Sequence, residues 1–297
     1  MLLKRDVYAA ALVPRDRDGR FDETNFRAIV SYLAAQQIDG IVINGATGEY
    51  CLTSEWDLLR MLAICRDVLG SDGEILCGIG APSLPRSIEL GRIAMEAGAK
   101  ALLLPMPYFF RYAQEDLSAY CRAAAAALDS PILLYNLPVF TNPLQLSTVR
   151  DLLASVPNLV GIKDSSGSLE ILAGLSGTKA VRIVGDDRVL VAALDAGVCD
   201  CVISGVAGVL PELMKFLFHQ RQSASYPQAA QCLDELVKRL SVFPTPWGLK
   251  LIAECRGIAE VSLTQPLAEN RVAEVGAFRA WFGEWWPGAD ELLKQPS

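Results

Sequence analysis

A lysine and a tyrosine occupy equivalent positions near the ends of two apolar segments. LVGIKD contains Lys163 after three large apolar residues and a glycine, and PILLYN contains Tyr135. Lysine is normally exposed, because removing an ammonium from water is costly unless the charge is paired or the group becomes neutral. The place of Lys163 in a segment that is expected to be buried therefore needs a chemical explanation.

Two interpretations of Lys163 are open. In the first, it is a rim residue whose ammonium pairs with Asp164 or Glu49. In the second, removal from water favours the neutral amine, which attacks a carbonyl carbon and forms a Schiff base. That chemistry needs a proton carrier and donors that hold a carboxylate or an oxyanion. Tyr135 is a candidate proton carrier if both side chains point into the same space.

The loop in NGATGEY supplies candidate donors for an anion. Gly45, Ala46, Thr47 and Gly48 place two glycines around small residues, so backbone N–H groups are accessible, and Thr47 adds a hydroxyl. A simple tight turn before the following helix is the alternative. The segment GDD at 185–187 either lines the same pocket or begins a helix, and we favour the helix start because carboxylates suit a helix N-terminus.

Composition excludes several classes of function. The 297 residues are 52% hydrophobic, and the formal net charge of −7 comes without a basic run, so a nucleic-acid surface is not expected. Eight cysteines without C-x-x-C spacing indicate a reducing compartment. The start MLLKRD has too short an apolar stretch for a signal peptide, and no run approaches a membrane span. We expect a cytoplasmic protein that handles a small molecule, with neither nucleic acid nor membrane as a partner.

His219 is the sole histidine of the chain. A zinc site built from several histidines is therefore impossible, and a serine–histidine triad would have to use this residue. A lone histidine on a helix is most often structural, so acid–base chemistry is expected from Lys, Tyr, Asp, Glu or Cys. Trp281 and Trp285 lie four apart on one helical face, which favours packing over a ligand role.

Eight apolar segments alternate with helical segments along the chain. Each is continuously apolar, as is typical of a parallel strand covered on both faces. Eight strand–helix units predict an α/β fold, a closed (β/α)8 TIM barrel, and the competing open sheet lacks a G-x-G-x-x-G after its first strand. The segments are VYAAALVP from Val7, GIVIN from Gly40, EILCGIG from Glu74, ALLLP from Ala101, PILLYN from Pro131, LVGIKD from Leu159, VRIVGD from Val181 and DCVISG from Asp200.

The alternation of strand and helix segments ends after His219. The remainder is expected to be helical, with breaks near SASYP, FPTP, LTQP and WWPG. We predict a barrel over residues 1–223 and a helical C-terminal extension over residues 224–297 that packs on it. The active site of such a barrel lies at the carboxyl ends of the strands, where neighbouring strands are about 4.8 Å apart. Lys163 and Tyr135 are therefore expected to address one small substrate.

In this order, GATGE, YNLP, GIKD and GDD resemble the motifs of the dihydrodipicolinate synthase/N-acetylneuraminate lyase family, and the resemblance extends over nearly the whole chain. It implies a pyruvate-dependent class I aldolase or lyase that is a homotetramer of two tight dimers. It also implies that Lys163 forms an imine with pyruvate or another 2-oxo acid, without a further cofactor or metal. By the same resemblance, Tyr135 shuttles protons, Thr47 and the 45–48 backbone hold the pyruvyl carboxylate, and the backbone of Ile203 lines the pocket.

Three positions depart from the lysine-pathway synthases of that family. Ala46 replaces the first threonine of their G-T-T-G-E loop, and Phe140 replaces an arginine that binds the carboxylate of the aldehyde partner. Their two-tyrosine motif after the fourth strand is here Tyr108 followed by Phe109. A phenylalanine cannot provide the bidentate hydrogen bonds of arginine. The pyruvate half of the site is thus expected to be intact and the acceptor half to be rebuilt.

These observations predict a Schiff-base aldolase or lyase that joins or separates pyruvate and an aldehyde, with a 2-oxo-3-deoxy or 4-hydroxy-2-oxo acid as the joined substrate. The acceptor pocket would be set by Phe109, Phe110, Arg111 and the loop 139–141. One alternative is the 4-hydroxy-tetrahydrodipicolinate synthase reaction, which condenses pyruvate with aspartate semialdehyde and would here use Arg111 as anchor. Another is a non-catalytic protein that binds a 2-oxo acid, and a dehydratase outcome is a further one. The aldehyde, the direction and any allosteric ligand are left open.

Overall fold

The computed structural model describes residues 6–263 and 265–294, so the prediction made from the segment MLLKR lies outside the described residues. All strands run parallel, and each pairs with its neighbours in chain order until the last closes on the first. The predicted (β/α)8 barrel is therefore confirmed. Its strands are β1 (Val7–Ala10), β2 (Gly40–Ile43), β3 (Ile75–Gly78), β4 (Ala101–Pro105), β5 (Ile132–Asn136), β6 (Leu159–Asp164), β7 (Val181–Val184) and β8 (Cys201–Ser204).

Helices follow the strands and surround the barrel. Within residues 6–263 and 265–294, eight helices alternate with the strands and three more follow the barrel. They are α1 (Glu23–Ala35), α2 (Glu55–Leu69), α3 (Leu84–Glu96), α4 (Gln114–Ala127), α5 (Leu146–Ser155), α6 (Glu170–Gly174), α7 (Leu190–Asp195), α8 (Pro211–His219), α9 (Tyr226–Leu240), α10 (Trp247–Cys255) and α11 (Glu269–Leu293).

Local sequence signals account for the start of α2, the helix that follows the NGATGEY loop. Ser54 caps the helix by accepting a hydrogen bond from the Asp57 amide, and the Asp57 carboxylate accepts one from the Ser54 amide, each over 3.1 Å. This reciprocal capping box satisfies two amides that the first turn leaves unpaired. The helix is thereby fixed directly after the loop that contains Thr47.

The barrel interior is a packed apolar core that includes Tyr8 of β1, its largest fully buried side chain. Tyr8 is fully buried and donates its hydroxyl to Glu74 Oε2 over 2.6 Å. A Cβ at Gly40 would lie only 2.4 Å from the Tyr8 ring, so the glycine at the start of β2 makes room for it. The amino-terminal end of the barrel is therefore closed, which leaves the carboxyl end for chemistry.

The pairing of β5 with β6 determines which of their residues lie opposite each other at the candidate site. Ile132 pairs with Leu159, whereas the next residue, Leu133, pairs with Gly161, so the register shifts by one residue at Val160. Beyond this irregularity the pairing is regular, and Tyr135 lies directly opposite Lys163.

Helices α9, α10 and α11 form the predicted C-terminal extension. Leu233, Ile252 and Phe278, one from each helix, belong to the same hydrophobic cluster as the helices around the barrel. The predicted boundary between residues 223 and 224 falls between α8 and α9. Within the described residues, no helix is long and apolar enough to cross a membrane.

Candidate active site

Lys163 and Tyr135 project into the barrel from neighbouring strands. The Lys163 side chain is buried, with the residue 4% exposed, and its Nζ lies 3.2 Å from the Tyr135 hydroxyl. The same Nζ lies 4.3 Å from the centre of the Tyr135 ring. No carboxylate forms a salt bridge with Lys163 within the described residues. A phenol is therefore the hydrogen-bonding partner of this amine, as a proton-transfer pair requires.

The rim interpretation of Lys163 does not hold. Asp164 accepts hydrogen bonds from the Asn136 side chain and the Ser166 amide, over 2.9 and 3.1 Å, on the other face of the strand. Glu49, the other expected partner, pairs instead with Lys250 of α10, over 2.5 Å. Both acidic residues are thus engaged elsewhere, and Lys163 faces the cavity.

Gly185, after β7, creates the space that the Lys163 side chain occupies. A Cβ at this position would lie 2.3 Å from Ser165 Oγ, 2.6 Å from Lys163 Cε and 2.9 Å from Lys163 Cγ. Such distances are well inside van der Waals contact, so only glycine allows the lysine to lie against this backbone. The first residue of GDD therefore helps to orient the amine.

The NGATGEY loop forms a tight turn whose tip faces the cavity. The Gly48 amide donates to the Gly45 carbonyl and the Glu49 amide to the Ala46 carbonyl, each over 3.0 Å. Within the described residues the amides of Ala46 and Thr47 donate to no protein group. The turn interpretation and the anion interpretation are thus compatible, since the turn uses the amide of Gly48 and leaves those of residues 46 and 47 without a protein acceptor.

A cavity of about 410 Å³ joins these features at the carboxyl end of the barrel. Lys163, Tyr135, Thr47, Ala46 and Phe140 all line it, so the structure brings five of the predicted site residues together. Its other walls come from the ends of β5 to β8 and from the C-terminal extension. They are Leu137, Val139, Ser165, Gly185, Asp186, Asp187, Arg188, Gly205, Val206, Val237, Leu240, Ser241, Phe243, Pro244, Thr245, Pro246 and Leu249.

Asp186 and Asp187 have different roles. Asp186 caps a short 3-10 turn by accepting from the Arg188 amide over 3.0 Å, as expected of a helix start, and it pairs with the Arg188 guanidinium. Burial raises the pKa of Asp187 to about 6, against the lowering effect of hydrogen bonds from Ser204 and the Val206 amide. Its Oδ1 is buried and has no hydrogen-bond partner among the described residues. The GDD segment therefore begins a helical turn and also lines the cavity.

The remaining predicted residues lie around the cavity rather than in its lining. The Ile203 side chain is buried in the barrel core, and Phe109 is exposed, with 89% of its surface accessible and a left-handed φ of 80°. Tyr108 packs edge-on against Tyr50, with ring centres 5.8 Å apart, beside a second cavity of about 430 Å³. Burial raises the pKa of both phenols. Arg111 is exposed on the same loop.

Sequence reasoning missed the contribution of the C-terminal extension. Residues of α9, of the following FPTP segment and of α10 form one wall of the cavity. Lys250 was also missed, although a lysine within the apolar run WGLKLIA is the same kind of signal that drew attention to Lys163. It is fully buried in α10.

His219 lies beside a carboxylate, away from Lys163. Its Nε2 lies 2.6 Å from Asp6 Oδ1, beside the start of β1, at the end of the barrel opposite to Lys163. Together with Asp39, these two residues form a group of three potential metal ligands whose donor atoms lie within 4.8 Å of one another. Trp281 and Trp285 of α11 stack on each other, with ring centres 5.1 Å apart, which agrees with the expected packing role. All eight cysteines are free thiols.

Known proteins resemble this chain over most of its length. The 4-hydroxy-tetrahydrodipicolinate synthase of Phenylobacterium zucineum is 33% identical over 276 residues, covering 89% of this chain and 93% of the relative. The solved structure of the same enzyme from Methylacidiphilum fumariolicum SolV superposes with a TM-score of 0.86 at 25% identity, covering 96% of this chain and 98% of that chain. The fold also matches the sialic acid aldolase of Ruminococcus gnavus, with a TM-score of 0.84 at 18% identity, covering 97% and 99%.

The family relationship follows from the sequence as well as from the fold. The model of the dihydrodipicolinate synthetase family matches residues 4–280, which include the barrel and most of the C-terminal extension. The resemblance inferred from the four motifs is thereby confirmed. The chain is a member of the dihydrodipicolinate synthetase family.

Proposed function

We propose that the protein is a class I aldolase or lyase that makes or breaks a carbon–carbon bond between pyruvate and an aldehyde. The observation that supports this most directly is the buried Lys163 amine, 3.2 Å from the Tyr135 hydroxyl, at a cavity of about 410 Å³. The cavity is large enough for a small 2-oxo acid together with an aldehyde. Membership of a family whose relatives are named as synthases supports the same activity.

The first half of the reaction forms the imine. Lys163 Nζ attacks the C2 carbonyl carbon of the 2-oxo acid. Tyr135 transfers the two protons that the nitrogen loses, one after the other, to the oxygen, which leaves as water. The amides of Ala46 and Thr47 and the Thr47 hydroxyl hold the neighbouring carboxylate. The product is an imine between Lys163 and the substrate, and the reaction needs no other cofactor.

The second half uses the imine as an electron sink. In cleavage, a base removes the C4 hydroxyl proton, the C3–C4 bond breaks, and its electron pair moves through C3 to the iminium nitrogen as the aldehyde leaves. The resulting enamine takes a proton at C3, and water then hydrolyses the imine to release pyruvate. In condensation, the enamine C3 attacks the aldehyde carbon instead, and the same steps run in reverse.

Two unsatisfied oxygens support a substrate that carries hydroxyl groups. Ser165 Oγ and Asp187 Oδ1 are buried beside the cavity and have no hydrogen-bond partner among the described residues. A buried polar atom is costly without a partner, so a ligand hydroxyl would satisfy it. This supports a 4-hydroxy-2-oxo or 2-oxo-3-deoxy acid as the joined substrate.

Reductive trapping tests the proposal. Borohydride with pyruvate should leave a covalent adduct on the peptide that contains Lys163 and on no other lysine, and Lys163→Ala should remain unlabelled. A panel of 2-oxo-3-deoxy acids and aldehydes should then identify the pair for which pyruvate is released or consumed. Lack of an adduct on Lys163 would refute the mechanism. Adduct formation without turnover of any member of the panel would favour a non-catalytic binding protein.

A second candidate is the 4-hydroxy-tetrahydrodipicolinate synthase reaction. It is favoured by the names of relatives that are up to 33% identical. Phe140 stands where the resemblance places the carboxylate-binding arginine, and it lines the cavity while Arg111 does not. Failure to convert pyruvate and aspartate semialdehyde, in a protein that does form the pyruvate adduct, would exclude this candidate. If the wild type fails in this way, the variant Phe140→Arg should increase the turnover of aspartate semialdehyde.

We further propose a cytoplasmic homotetramer built from two dimers. The support is the family resemblance together with exposed aromatic side chains next to the site: Phe109 is 89% exposed and Phe110 64%. Contiguous exposed apolar surface of this kind is typical of an interaction site. Analytical ultracentrifugation of the wild type and of Phe109→Asp would test it, since a charge at the interface should shift the equilibrium toward smaller species.

A further inference from the structure

A second lysine, Lys250, is more completely buried than Lys163. It is fully inaccessible to solvent, and its Nζ lies 2.5 Å from Glu49 Oε2 and 3.4 Å from the Ser262 carbonyl. The Glu49 side chain is 12% exposed. The pair joins α10 of the C-terminal extension to the loop that follows β2, two segments that are 201 positions apart in the chain.

Glu49 links the turn that contains Ala46 and Thr47 to the ion pair with Lys250. Its backbone is left-handed, with φ 52° and ψ 47°, which is uncommon for a residue other than glycine. Its amide donates to the Ala46 carbonyl over 3.0 Å, and its carbonyl accepts from the Leu52 amide over 2.8 Å. A displacement of Glu49 therefore moves Ala46 and Thr47, whose amides face the cavity.

Helix α10 and the loop also share a neighbour, Gly205, beside the cavity. Leu249, the neighbour of Lys250, and Thr47 both lie against Gly205. A Cβ there would be 2.8 Å from Leu249 Cδ1 and 3.1 Å from Thr47 Oγ1. The ion pair thus fixes the distance between α10 and the loop at the point where both border the substrate space.

Stability alone does not explain a buried ion pair. Desolvation of the two charges offsets most of their attraction, and two apolar side chains of similar size are often at least as stabilising. An ion pair differs from an apolar contact in its direction, because the ammonium and carboxylate must meet in a defined geometry.

We propose that Glu49 and Lys250 are positioning residues, which hold the 46–47 amides where the carboxylate of the 2-oxo acid binds. This inference rests on the proposed function, since it concerns the same carboxylate. Neither side chain touches the reacting atoms. Loss of the pair should weaken capture of the 2-oxo acid while leaving Lys163 and Tyr135 competent to form the imine.

The test compares a neutral pair with a reversed pair. Glu49→Gln with Lys250→Met removes both charges, so no unpaired charge remains in the core. We expect the pyruvate concentration that gives half-maximal borohydride labelling to rise about tenfold, as a loop shifted by a fraction of an ångström would cause, with unchanged labelling at saturation. The reversed pair, Glu49→Lys with Lys250→Glu, should recover most of the wild-type affinity. If the neutral pair folds poorly, Glu49→Asp replaces it in the test. This variant keeps the charge but shortens the side chain, and it should also raise the pyruvate concentration at half-maximal labelling.

Arg256 provides a matched control at the other end of α10. It binds Glu212 and the Val209 carbonyl, and stacks over Trp286 with its guanidinium carbon 4.5 Å from the ring centre. Arg256→Met should lower the thermal stability without changing the half-saturating pyruvate concentration. A folded neutral pair, or a Glu49→Asp variant, with wild-type half-saturation would overturn the inference. A wild type that forms no adduct at any pyruvate concentration would refute the proposed function itself, and the inference with it.

Discussion

Replacement of Gly185 by alanine tests whether the orientation of Lys163 depends on the backbone after β7. The new Cβ would lie 2.6 Å from Lys163 Cε and 2.3 Å from Ser165 Oγ. Ordinary carbon–carbon contact requires that the lysine retreat by roughly 1 Å. Its amine would then leave the position 3.2 Å from the Tyr135 hydroxyl. One added methyl group therefore perturbs the reactive pair without removing either member.

The expected effect is larger on chemistry than on stability. Overpacking of a well-packed site costs about 1–3 kcal/mol, which a domain of this size tolerates. Misplacement of a reacting group by about 1 Å reduces a rate by about a hundredfold. We therefore expect Gly185→Ala to remain folded and to form the borohydride-trapped pyruvate adduct about a hundred times more slowly, measured as a time course at saturating pyruvate.

Gly276→Ala is the matched control for Gly185→Ala. Gly276 lies in α11, where an added Cβ meets no atom within 4 Å, so the change should stabilise the helix by up to about 1 kcal/mol and leave labelling unaffected. Melting temperatures of both variants would separate a loss of stability from a loss of placement. Labelling of folded Gly185→Ala at the wild-type rate would show that the lysine is not positioned by this backbone.

Three further predictions concern the cavity. Tyr135→Phe should lower the rate of imine formation by about 10²–10⁴-fold with little change in pyruvate affinity, because it removes the proton carrier; pre-steady-state labelling would measure both. Thr47→Val should weaken pyruvate binding by about tenfold or more, as expected for one hydrogen bond to a carboxylate, and titration of labelling against pyruvate would detect it. Burial raises the pKa of Asp187 from 3.8 to about 6, so the folded protein binds this proton more tightly than the unfolded chain and loses stability as the pH rises through that window. The variant Asp187→Asn cannot lose stability in this way. Its melting temperature should therefore exceed that of the wild type by more at pH 7 than at pH 4. Equal differences at the two pH values would contradict the prediction.

The sequence predicted the barrel and the level of its reactive pair because those features depend on short segments. Each strand is one apolar run, and runs buried on both faces are recognisable without knowledge of their partners. Tyr135 and Lys163 end equivalent runs in consecutive units, and consecutive parallel strands are neighbours in a barrel. The proximity of Tyr135 and Lys163 was therefore predictable from the order of the strand segments along the chain.

Contacts between distant segments were not predictable in the same way. The sequence offered Lys163 as a partner for Glu49, whereas the helix α10 brings Lys250 to it from 201 positions away. The wall that the C-terminal extension contributes to the cavity has the same origin, since Phe243 and Leu249 reach it only through helix packing. Local patterns contain no information on such packing, although WGLKLIA did mark a lysine in an apolar helix.

The register shift at Val160 separates the start of β6 from the part of the strand that carries the reactive amine. The extra residue, Val160, lies near the amino-terminal end of β6, three residues before Lys163, and the pairing beyond it is regular. Because strand side chains alternate between faces, a shift of one residue at the level of Tyr135 would turn Lys163 away from the cavity. Insertions and deletions in the connection between α5 and β6 can be absorbed at this irregular position. A length change at this position thus leaves Tyr135 and Lys163 opposite each other at the carboxyl end of the barrel.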